Sequence, residues 1–392
     1  MEYQYSADKT IRYKILDGAN RIGANLIELK CADTNVLIEC GNELEPTEEG
    51  IGLRNKIKKT HYDACFVTHY HGDHAGLLSE PINCDVIYMS EATLKILKVM
   101  GGICEENIAK TVAFDKPKDY RKTTTVKDLY FNYFLCDHSA YGSYMFLFVS
   151  EQNSILYTGD FRSNGRKDFA KLLGKLPNKV DTLICEGTNV GSNIPQLSEQ
   201  DLESKLVELC QNDKPVFVLQ SATNIDRIVS VYRAALKSNR LFIMRLVQAD
   251  ICSQLQHIPK PNGFKMCYAY PEFPLTDEQY QKYTEKYGKR IVGREHISKI
   301  NKYILEVTSK DLHYLQKLAA SCNLNGAKLV YSTWSGYKQR EDMKAFLDGV
   351  KNLGIEVVDL HASGHADAKT IEALRQRVNP DEFVQVHKPQ AN

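Results

Sequence analysis

Three histidines and one aspartate lie within six residues, in the stretch His-Tyr-His-Gly-Asp-His at positions 69–74. The apolar run before it, at residues 64–67, predicts a short buried strand that ends at this stretch. Side chains two apart in extended backbone lie on the same side, so His69 and His71 could bind one metal ion together. Asp73 and His74 then point towards a second ion. Imidazole and carboxylate ligands suit Zn²⁺ or Mn²⁺, and a metal with an open position activates water.

Two further polar side chains follow predicted strands. His138 comes after the strand at 129–135, and Asp160 comes after a strand that begins at Ser154. His138 could complete the first ion's ligand set, and Asp160 could bridge the two ions. Alone, His138 fits a ligand or a structural histidine equally well, and an aspartate after glycine is most often a turn residue. The repeated order, with each polar group at a strand end, favours the ligand interpretation.

The elements that must position these side chains form two patterns. Strands predicted within residues 11–40 and at 85–89, 129–135, 144–149 and 181–185 indicate a β-sandwich flanked by helices. Between residues 198 and 246 helices and strands alternate, which predicts a small α/β unit with parallel strands. The signal is weak over 248–305, and strands and helices then resume to residue 387. This interleaved order predicts that the α/β unit is an insertion.

Length and composition limit the classes of protein that the chain can belong to. Its 392 residues are enough for two domains, and 50 Lys and Arg balance 49 Asp and Glu. The 11 cysteines form no CxxC pair, which is typical of reduced thiols in a cytoplasmic protein. No apolar run approaches the roughly 20 residues of a membrane helix, and the N-terminus has no signal-peptide core, so we expect no membrane association.

Taken together, these motifs resemble the β-CASP branch of the metallo-β-lactamase superfamily, on its ribonuclease J side. The matching positions are residues 68–74, His138, Asp160, Glu186, residues 220–227, residues 361–365 and His387. The resemblance implies an α/β fold in which an αββα metallo-β-lactamase sandwich spans residues 1–195 and 325–392. An α/β β-CASP domain would be inserted at residues 196–324.

The resemblance also implies a site with two divalent metal ions, most often Zn²⁺, with Mn²⁺ as the alternative. The expected ligands are His69, His71 and His138 for one ion, Asp73, His74 and His387 for the other, and Asp160 as the bridge. The expected catalytic residues are Asp73, Asp160, His365 and Glu186. His365 would give a proton to the leaving oxygen, and Glu186 would orient its imidazole.

A second implied site binds the phosphates of the substrate. Residues 220–227 run from a strand into a helix, and a helix N-terminus attracts phosphate through free N–H groups and its dipole. The expected substrate-binding residues are Ser221, Thr223, Asn224, Arg227, His361 and Ser363. From the residues alone, ordinary N-capping explains the first stretch, and a half-buried loop histidine explains His361 equally well.

The predicted insertion also carries a local excess of positive charge. Between Arg227 and Tyr303, 14 Lys or Arg oppose six acids, a net charge of +8, which leaves about −7 for the rest of the chain. A basic stretch of this kind attracts a polyanion. Five tyrosines could stack on unpaired bases there, namely Tyr268, Tyr270, Tyr280, Tyr283 and Tyr287. For any single residue a solvated helix face is the simpler interpretation.

The residues and the resemblance together predict a metal-dependent nuclease that cleaves phosphodiester bonds of single-stranded RNA. Two ions would supply a hydroxide at neutral pH, and the products would carry a 5′-phosphate. A histidine at position 387 is similar to what RNA-processing members of the family carry there. DNA-repair members tend to have an apolar residue at this position. The alternatives are a DNA nuclease of the same fold, a thioester or lactone hydrolase, and an inactive scaffold. Exonuclease and endonuclease action both stay open.

Three features depart from the family pattern. Glu39 stands where members usually carry aspartate, and Lys388-Pro389 follows His387 where Gly-Glu is common. The extra C-terminal domain of full-length ribonucleases J has no counterpart, so a monomer and a homodimer are both open.

Overall fold

The structure, a computed structural model, describes residues 9–114, 124–191 and 196–389. The described residues before position 195 and those from Gly364 onward form one compact unit. The described residues between them form a second unit. Within these ranges, no helix has both the length and the apolar character needed to cross a bilayer.

The first unit contains two six-stranded sheets. The first has the order β1-β2-β3-β4-β5-β6, with strands β1 (Arg12–Asp17), β2 (Leu26–Cys31), β3 (Thr34–Ile38), β4 (Ala64–Phe66), β5 (Ile87–Ser90) and β6 (Thr111–Phe114). The second has the order β18-β11-β10-β9-β8-β7, with strands β7 (Thr124–Val126), β8 (Leu129–Leu135), β9 (Tyr144–Val149), β10 (Ser154–Tyr157), β11 (Thr182–Glu186) and β18 (Glu382–Val386). The helices of this unit are α1 (Glu48–Lys59), α2 (Gly72–Ala75), α3 (Glu91–Met100), α4 (Glu105–Lys110), α5 (Phe169–Lys175) and α13 (Ala368–Val378).

The two sheets pack face to face over an aromatic core. Phe66 of β4 meets Phe131, Phe146 and Phe148 of the second sheet edge to face, with ring centroids 4.8 to 5.3 Å apart. Helix α3 packs on β5 and β6, while α5 and α13 cover the outer face of the second sheet. The layer order is therefore helix, sheet, sheet, helix. This confirms the predicted α/β metallo-β-lactamase-like fold class.

The second unit is built on one parallel sheet with the order β14-β13-β15-β12-β16-β17. Its strands are β12 (Val216–Leu219), β13 (Leu241–Arg245), β14 (Cys267–Tyr270), β15 (Tyr303–Val307), β16 (Lys328–Tyr331) and β17 (Glu356–Asp359). Its helices are α6 (Glu199–Leu209), α7 (Ile225–Lys237), α8 (Leu246–Ser253), α9 (Asp277–Tyr287), α10 (Arg294–Ile297), α11 (Leu312–Ala319) and α12 (Glu341–Asn352). The predicted alternation of helices with parallel strands is confirmed.

The boundary at the end of the second unit differs from the sequence prediction. The chain returns to the first unit at Gly364, whereas the return was expected near residue 325. Strand β16 pairs in parallel with β12, and β17 pairs with β16, so both complete the sheet of the second unit. Buried parallel strands look alike in any sheet. The sequence pattern therefore could not assign these two strands to a unit.

Candidate metal centre

The candidate ligands lie where strands of the first unit end. Strand β4 leads into His69, β8 leads into His138, and β10 leads into Asp160. Strands β10, β11 and β18 are parallel, and β8 runs the same way because β9 is antiparallel to both β8 and β10. The carboxyl ends of four strands therefore meet at one edge of the second sheet. At the turn after β10, Gly159 has φ +53°, and a Cβ there would lie 2.7 Å from the Thr68 methyl carbon.

Three imidazoles form the first cluster. The Nδ1 of His71 lies 3.1 Å from Nε2 of His69 and 3.2 Å from Nε2 of His138. Asp160 completes the group, with its Oδ2 3.7 Å from Nε2 of His138. Ring nitrogens this close, facing one another, match the donor set that Zn²⁺ prefers.

The second cluster contains Asp73, His74 and His387. The Nε2 of His387 lies 3.0 Å from Oδ2 of Asp73, and Nε2 of His74 lies 3.8 Å from the same oxygen. The motif at 69–74 and the distant His387 therefore come together in one place. The structure places every one of the seven predicted metal ligands in one of these two clusters.

Asp160 lies between the two clusters. Its carboxylate is 3.2 Å from Nε2 of His74 and 3.7 Å from Nδ1 of His387. Its Oδ1 is buried and has no hydrogen-bond partner among the described residues. A buried carboxylate oxygen without a partner is costly unless a cation or donor satisfies it. These residues therefore form a buried histidine and aspartate cluster that could hold metal.

Hydrogen bonds on the outer side of the rings fix which nitrogen faces inward. The hydroxyl of Thr68 donates to Glu39 and so accepts from Nδ1 of His69 at 2.9 Å. The Nδ1 of His138 donates to the carbonyl of Gly364 at 2.5 Å. In both rings the proton sits on the outer nitrogen, which leaves the inner Nε2 free to bind a metal.

The second cluster has the same kind of support. The Nδ1 of His74 donates to Oε1 of Glu39 at 2.9 Å, and Nδ1 of His387 lies 2.7 Å from the Thr188 hydroxyl. Both inner Nε2 atoms therefore face the carboxylate of Asp73.

The charges of these residues suit cation binding. Burial lowers the pKa of His69 and His138 well below the ordinary value and that of His71 to about 4, so all three imidazoles are neutral at pH 7. Burial alone would raise the pKa of Asp160, but the charges of His387 and His74 outweigh it and lower that pKa. Neutral rings in the first cluster beside an ionised carboxylate are the state in which these groups bind metal. In the second cluster burial opposes the charge of His74, but the carboxylates of Asp160, Glu39 and Asp73 outweigh it and raise its pKa, so a cation that binds there displaces that proton.

Two residues of the centre have strained backbone. Glu39 has φ +64° and His387 has φ +51°, in the left-handed region that side chains other than glycine rarely adopt. Such a conformation costs about 1–3 kcal/mol and persists when the surroundings hold it. Strain at both positions is typical of residues placed for function.

Beside the two clusters, Glu186 holds His365. Oε2 of Glu186 accepts from Nδ1 of His365 at 2.9 Å, and its Oε1 accepts from the amides of Phe161 and Ala366. Burial lowers the pKa of His365, but the charges of Glu186 and Asp160 more than offset it and raise the pKa to about 9. The predicted pairing of an orienting carboxylate with a histidine is present in the geometry.

We expect Glu39→Gln to weaken metal binding by about 10- to 100-fold, as the loss of an outer partner of a ligand usually does. Both oxygens of Glu39 accept hydrogen bonds, from the amide of Thr68, its hydroxyl and Nδ1 of His74. Glutamine offers one accepting oxygen, so at least one buried donor loses its partner. Zn²⁺ affinity measured by chelator competition tests this, with exposed Glu151→Gln as the control. Equal affinities for Glu39→Gln and wild type would contradict it.

Comparisons with known proteins agree with the geometry. The chain is 22% identical to ribonuclease J 2 of Streptococcus pyogenes over 94% of its own length and 68% of that protein. It is 26% identical to a probable RNase MJ4 of Methanocaldococcus jannaschii over 55% of each chain. It is 23% identical to transcription termination factor FttA of Methanosarcina mazei over 53% of this chain and 36% of that factor. None of the family models compared with the chain matches it.

The chain is therefore similar to ribonuclease J-like proteins of the β-CASP family. It spans between about one third and two thirds of the length of these relatives. A crystal structure of a protein of unknown function from Enterococcus faecalis superposes with a TM-score of 0.73 at 19% identity. That superposition covers 96% of this chain and 93% of the other, and it supports the fold.

The predicted substrate-binding residues belong to the second unit. Asn224 is the N-cap of α7 and accepts from the amide of Arg227 at 3.1 Å, so the capping interpretation is confirmed. The hydroxyls of Ser221 and Thr223 lie 2.9 Å apart in the turn before it. His361 is exposed, and its Nδ1 lies 3.2 Å from the carbonyl of Ser332.

Arg227 differs from its predicted role as a phosphate ligand. It is fully buried, and its guanidinium pairs with Glu199 at 3.1 Å. It also donates to the carbonyls of Ser332 at 2.9 Å and Ala362 at 3.0 Å. An arginine after a helix cap has the same sequence signal whether it points outward or inward. In this structure it ties α7 to α6 and to the loops after β16 and β17.

The predicted basic surface is weaker than the sequence count indicates. Four of the 14 cations pair with acids outside the counted stretch, namely Arg227 with Glu199, Lys237 with Glu203, Arg245 with Asp311 and Lys302 with Asp213. Across residues 196–363, 23 Lys or Arg oppose 19 Asp or Glu, a net charge of +4. A count along the chain misses acids that only the fold brings close.

Most of the five tyrosines proposed for base stacking are not available. Tyr270 and Tyr287 are buried, and the hydroxyls of Tyr283 and Tyr287 both bond Asp250. Tyr268 is half-buried under the guanidinium of Arg290. Tyr280, which is 57% exposed, is the exception.

Sequence reasoning missed one buried pair beside the centre. Asp137 precedes His138, and its carboxylate bonds Nε of Arg162 at 2.7 Å and the amides of Arg166 and Lys167. This clamp joins the segments that follow β8 and β10. The sequence did carry a signal for this pair. An acidic residue precedes His138 and a basic residue follows Asp160 by two positions, each near the end of an apolar strand.

Proposed function

We propose that this protein is a metal-dependent nuclease that hydrolyses phosphodiester bonds in single-stranded RNA and leaves 5′-phosphate ends. The first unit is the metallo-β-lactamase domain, and the second is the inserted β-CASP domain. The observation that carries the proposal is the buried Asp160 carboxylate between two histidine clusters, with one oxygen unsatisfied. The ribonucleases among its relatives support RNA as the substrate.

The proposed metal ligands are His69, His71 and His138 in one cluster, Asp73, His74 and His387 in the other, and Asp160 between them. Zn²⁺ is the preferred ion, with Mn²⁺ as the alternative. Two bound divalent ions lower the pKa of water and neutralise charge on the phosphoryl oxygens.

The residues beside the ligands act on protons and on position. Glu186 accepts the Nδ1 proton of His365, which fixes the ring and leaves Nε2 as the nitrogen that serves the leaving oxygen. Glu39 and Thr188 hold His74 and His387, so their inner nitrogens keep one orientation through the reaction. Ser221, Thr223, Asn224, His361 and Ser363 are the proposed contacts to substrate phosphates, and Arg227 positions their loops.

The decisive experiment incubates wild type and Asp73→Ala with 5′-phosphorylated, 5′-hydroxyl and circular single-stranded RNA and with DNA of matched sequence. We expect wild type to cleave RNA in preference to DNA and to leave 5′-phosphates. Asp73→Ala should lose more than about 100-fold in rate, because even the partners of metal ligands contribute 10- to 100-fold. A chelator should abolish cleavage, and Zn²⁺ or Mn²⁺ should restore it.

Each arm decides one part of the proposal. Cutting of circular RNA assigns endonuclease action, and 5′-phosphate dependence on linear RNA assigns 5′-exonuclease action. Equal cutting of DNA overturns the preference for RNA. Unchanged cleavage by Asp73→Ala overturns the site, because the activity then comes from elsewhere.

A further inference from the structure

The second unit carries an exposed aromatic pair that none of the proposed roles uses. Trp334 is the single tryptophan of the sequence and is 57% exposed, and Tyr337 is 39% exposed. Their rings meet edge to face with centroids 5.3 Å apart. The guanidinium of Arg340 lies 5.9 Å from the Tyr337 ring. An exposed indole that packs on a second aromatic ring, with a guanidinium near that second ring, is the kind of surface that is enriched at binding sites.

The loop that carries Trp334 is held in one shape. The hydroxyl of Tyr331 donates to the carbonyl of Trp334 at 3.1 Å, and the amide of Tyr337 donates to the same carbonyl at 3.2 Å. The indole lies directly against the backbone of Gly336, where a Cβ would be 2.3 Å from the ring. The ring is therefore pre-positioned, which lowers the entropy cost of binding a ligand.

The sheet places this loop between the two loops proposed to bind phosphate. Strand β16 lies between β12 and β17, and all three run in parallel. Their last residues, Leu219, Tyr331 and Asp359, are direct partners across the sheet. Strand β12 leads into the loop at residues 221–224, β16 leads into the loop of Trp334, and β17 leads into the loop of His361. In open parallel sheets, ligands bind outside these carboxyl ends.

Hydrogen bonds join the three loops. The amide of Ser332 donates to the carbonyl of Leu219 at 2.9 Å, and its hydroxyl donates to the carbonyl of Leu360 at 2.6 Å. The carbonyl of Ser332 lies 3.2 Å from Nδ1 of His361. Trp334 is two residues beyond Ser332. Trp334 therefore lies on a loop that is hydrogen-bonded to both loops with the proposed phosphate contacts.

We infer that Trp334, supported by Tyr337, stacks on a base of the single-stranded RNA whose phosphate is held by the neighbouring loops. This inference rests on the proposed function and adds a base-binding position to it. Stacking on an aromatic ring with a nearby arginine is how proteins bind unpaired bases without reading their sequence. The exposed ion pair between Arg340 and Asp342 is weak, so a phosphate can compete for this guanidinium.

The test uses Trp334 as its own probe. Holoenzyme is titrated with a 5′-phosphorylated, 2′-O-methylated oligonucleotide that cannot be cleaved, and tryptophan emission is excited where the 22 tyrosines do not absorb. We expect saturable quenching in wild type. Because the Trp334 variants have no tryptophan, their affinities and that of wild type are compared by fluorescence anisotropy of the same oligonucleotide with a 3′ dye. The oligonucleotide should bind roughly 10-fold more weakly to Trp334→Ala, within the range for one stacked base. Trp334→Phe should retain most of the affinity.

Phe273→Ala is the matched control, because this ring of the second unit is also exposed, at 46%, and has no proposed role in RNA binding. Its affinity should equal that of wild type. Wild type that binds and cleaves RNA with no quenching, and with full affinity in Trp334→Ala, overturns the stacking position and assigns the exposed pair to protein docking. A holoenzyme that neither binds nor cleaves RNA overturns the proposed function together with this inference.

Discussion

Asp160→Asn should lower RNA cleavage by roughly 10³-fold or more, in the range seen when one member of a catalytic unit is removed. Its carboxylate lies between both histidine clusters, 3.2 Å from Nε2 of His74 and 3.7 Å from Nε2 of His138. The asparagine amide has no negative charge. Its N–H groups can also donate to the histidine Nε2 atoms, whose lone pairs are needed to bind a metal. The bound metal per chain should fall with the activity, and elemental analysis measures it.

The fold has to be checked in the same experiment. Asp348→Asn makes the same chemical change at a side chain that is 73% exposed, and it should leave both cleavage and metal content unchanged. Circular dichroism and the urea midpoint show whether Asp160→Asn is still folded. If a folded Asp160→Asn cleaves RNA at the wild-type rate, the assignment of the centre to these residues is wrong.

Arg227→Met should destabilise the second unit by about 3–5 kcal/mol, the usual cost of leaving a buried charge without its partner. The change isolates the buried carboxylate of Glu199 and removes the donors to the Ser332 and Ala362 carbonyls. Urea unfolding followed by circular dichroism measures the loss. Because Arg227 also holds the loops of Ser332 and Ala362, we expect weaker oligonucleotide binding in the fraction that stays folded.

Arg233→Met is the control for this prediction, since Arg233 is exposed on the same helix. It should change the free energy of unfolding by less than about 0.5 kcal/mol. The double variant Arg227→Met/Glu199→Met should be less destabilised than the sum of the two single variants, because both charges leave together. A loss in Arg227→Met no larger than in Arg233→Met would mean that the network contributes nothing to stability.

The sequence predicted the fold class and which candidate ligands lie close together, because His69, His138 and Asp160 each follow an apolar strand. Strands β8 and β9 have the predicted bounds, and Asp160 and His387 follow β10 and β18 closely. Their carboxyl ends share one edge of a sheet, so the order of polar groups along the chain carries spatial information. No single strand showed that His387 would lie 3.0 Å from Asp73, and that expectation came from the family resemblance.

The errors arise where three-dimensional pairing decides the outcome. Helix α9 lies in the stretch with a weak signal, although its capping box at Thr276 and Gln279 was a usable sign. The inward direction of Arg227 depends on Glu199, which is 28 residues earlier. The position of the Trp334 ring, about which the sequence made no prediction, depends on Gly336, because a Cβ there would meet the ring. None of these contacts leaves a periodic trace in the sequence.

The position of His387 has a consequence for protein synthesis. Its strand, β18, pairs in parallel with β11, and the His387 amide bonds the Gly18 carbonyl at 2.7 Å. A nascent chain on the ribosome must therefore be made past this histidine, and the returning strand must dock, before the second cluster exists. Until then the growing polypeptide has an incomplete second cluster, so the nuclease activity proposed above would begin only after β18 has docked.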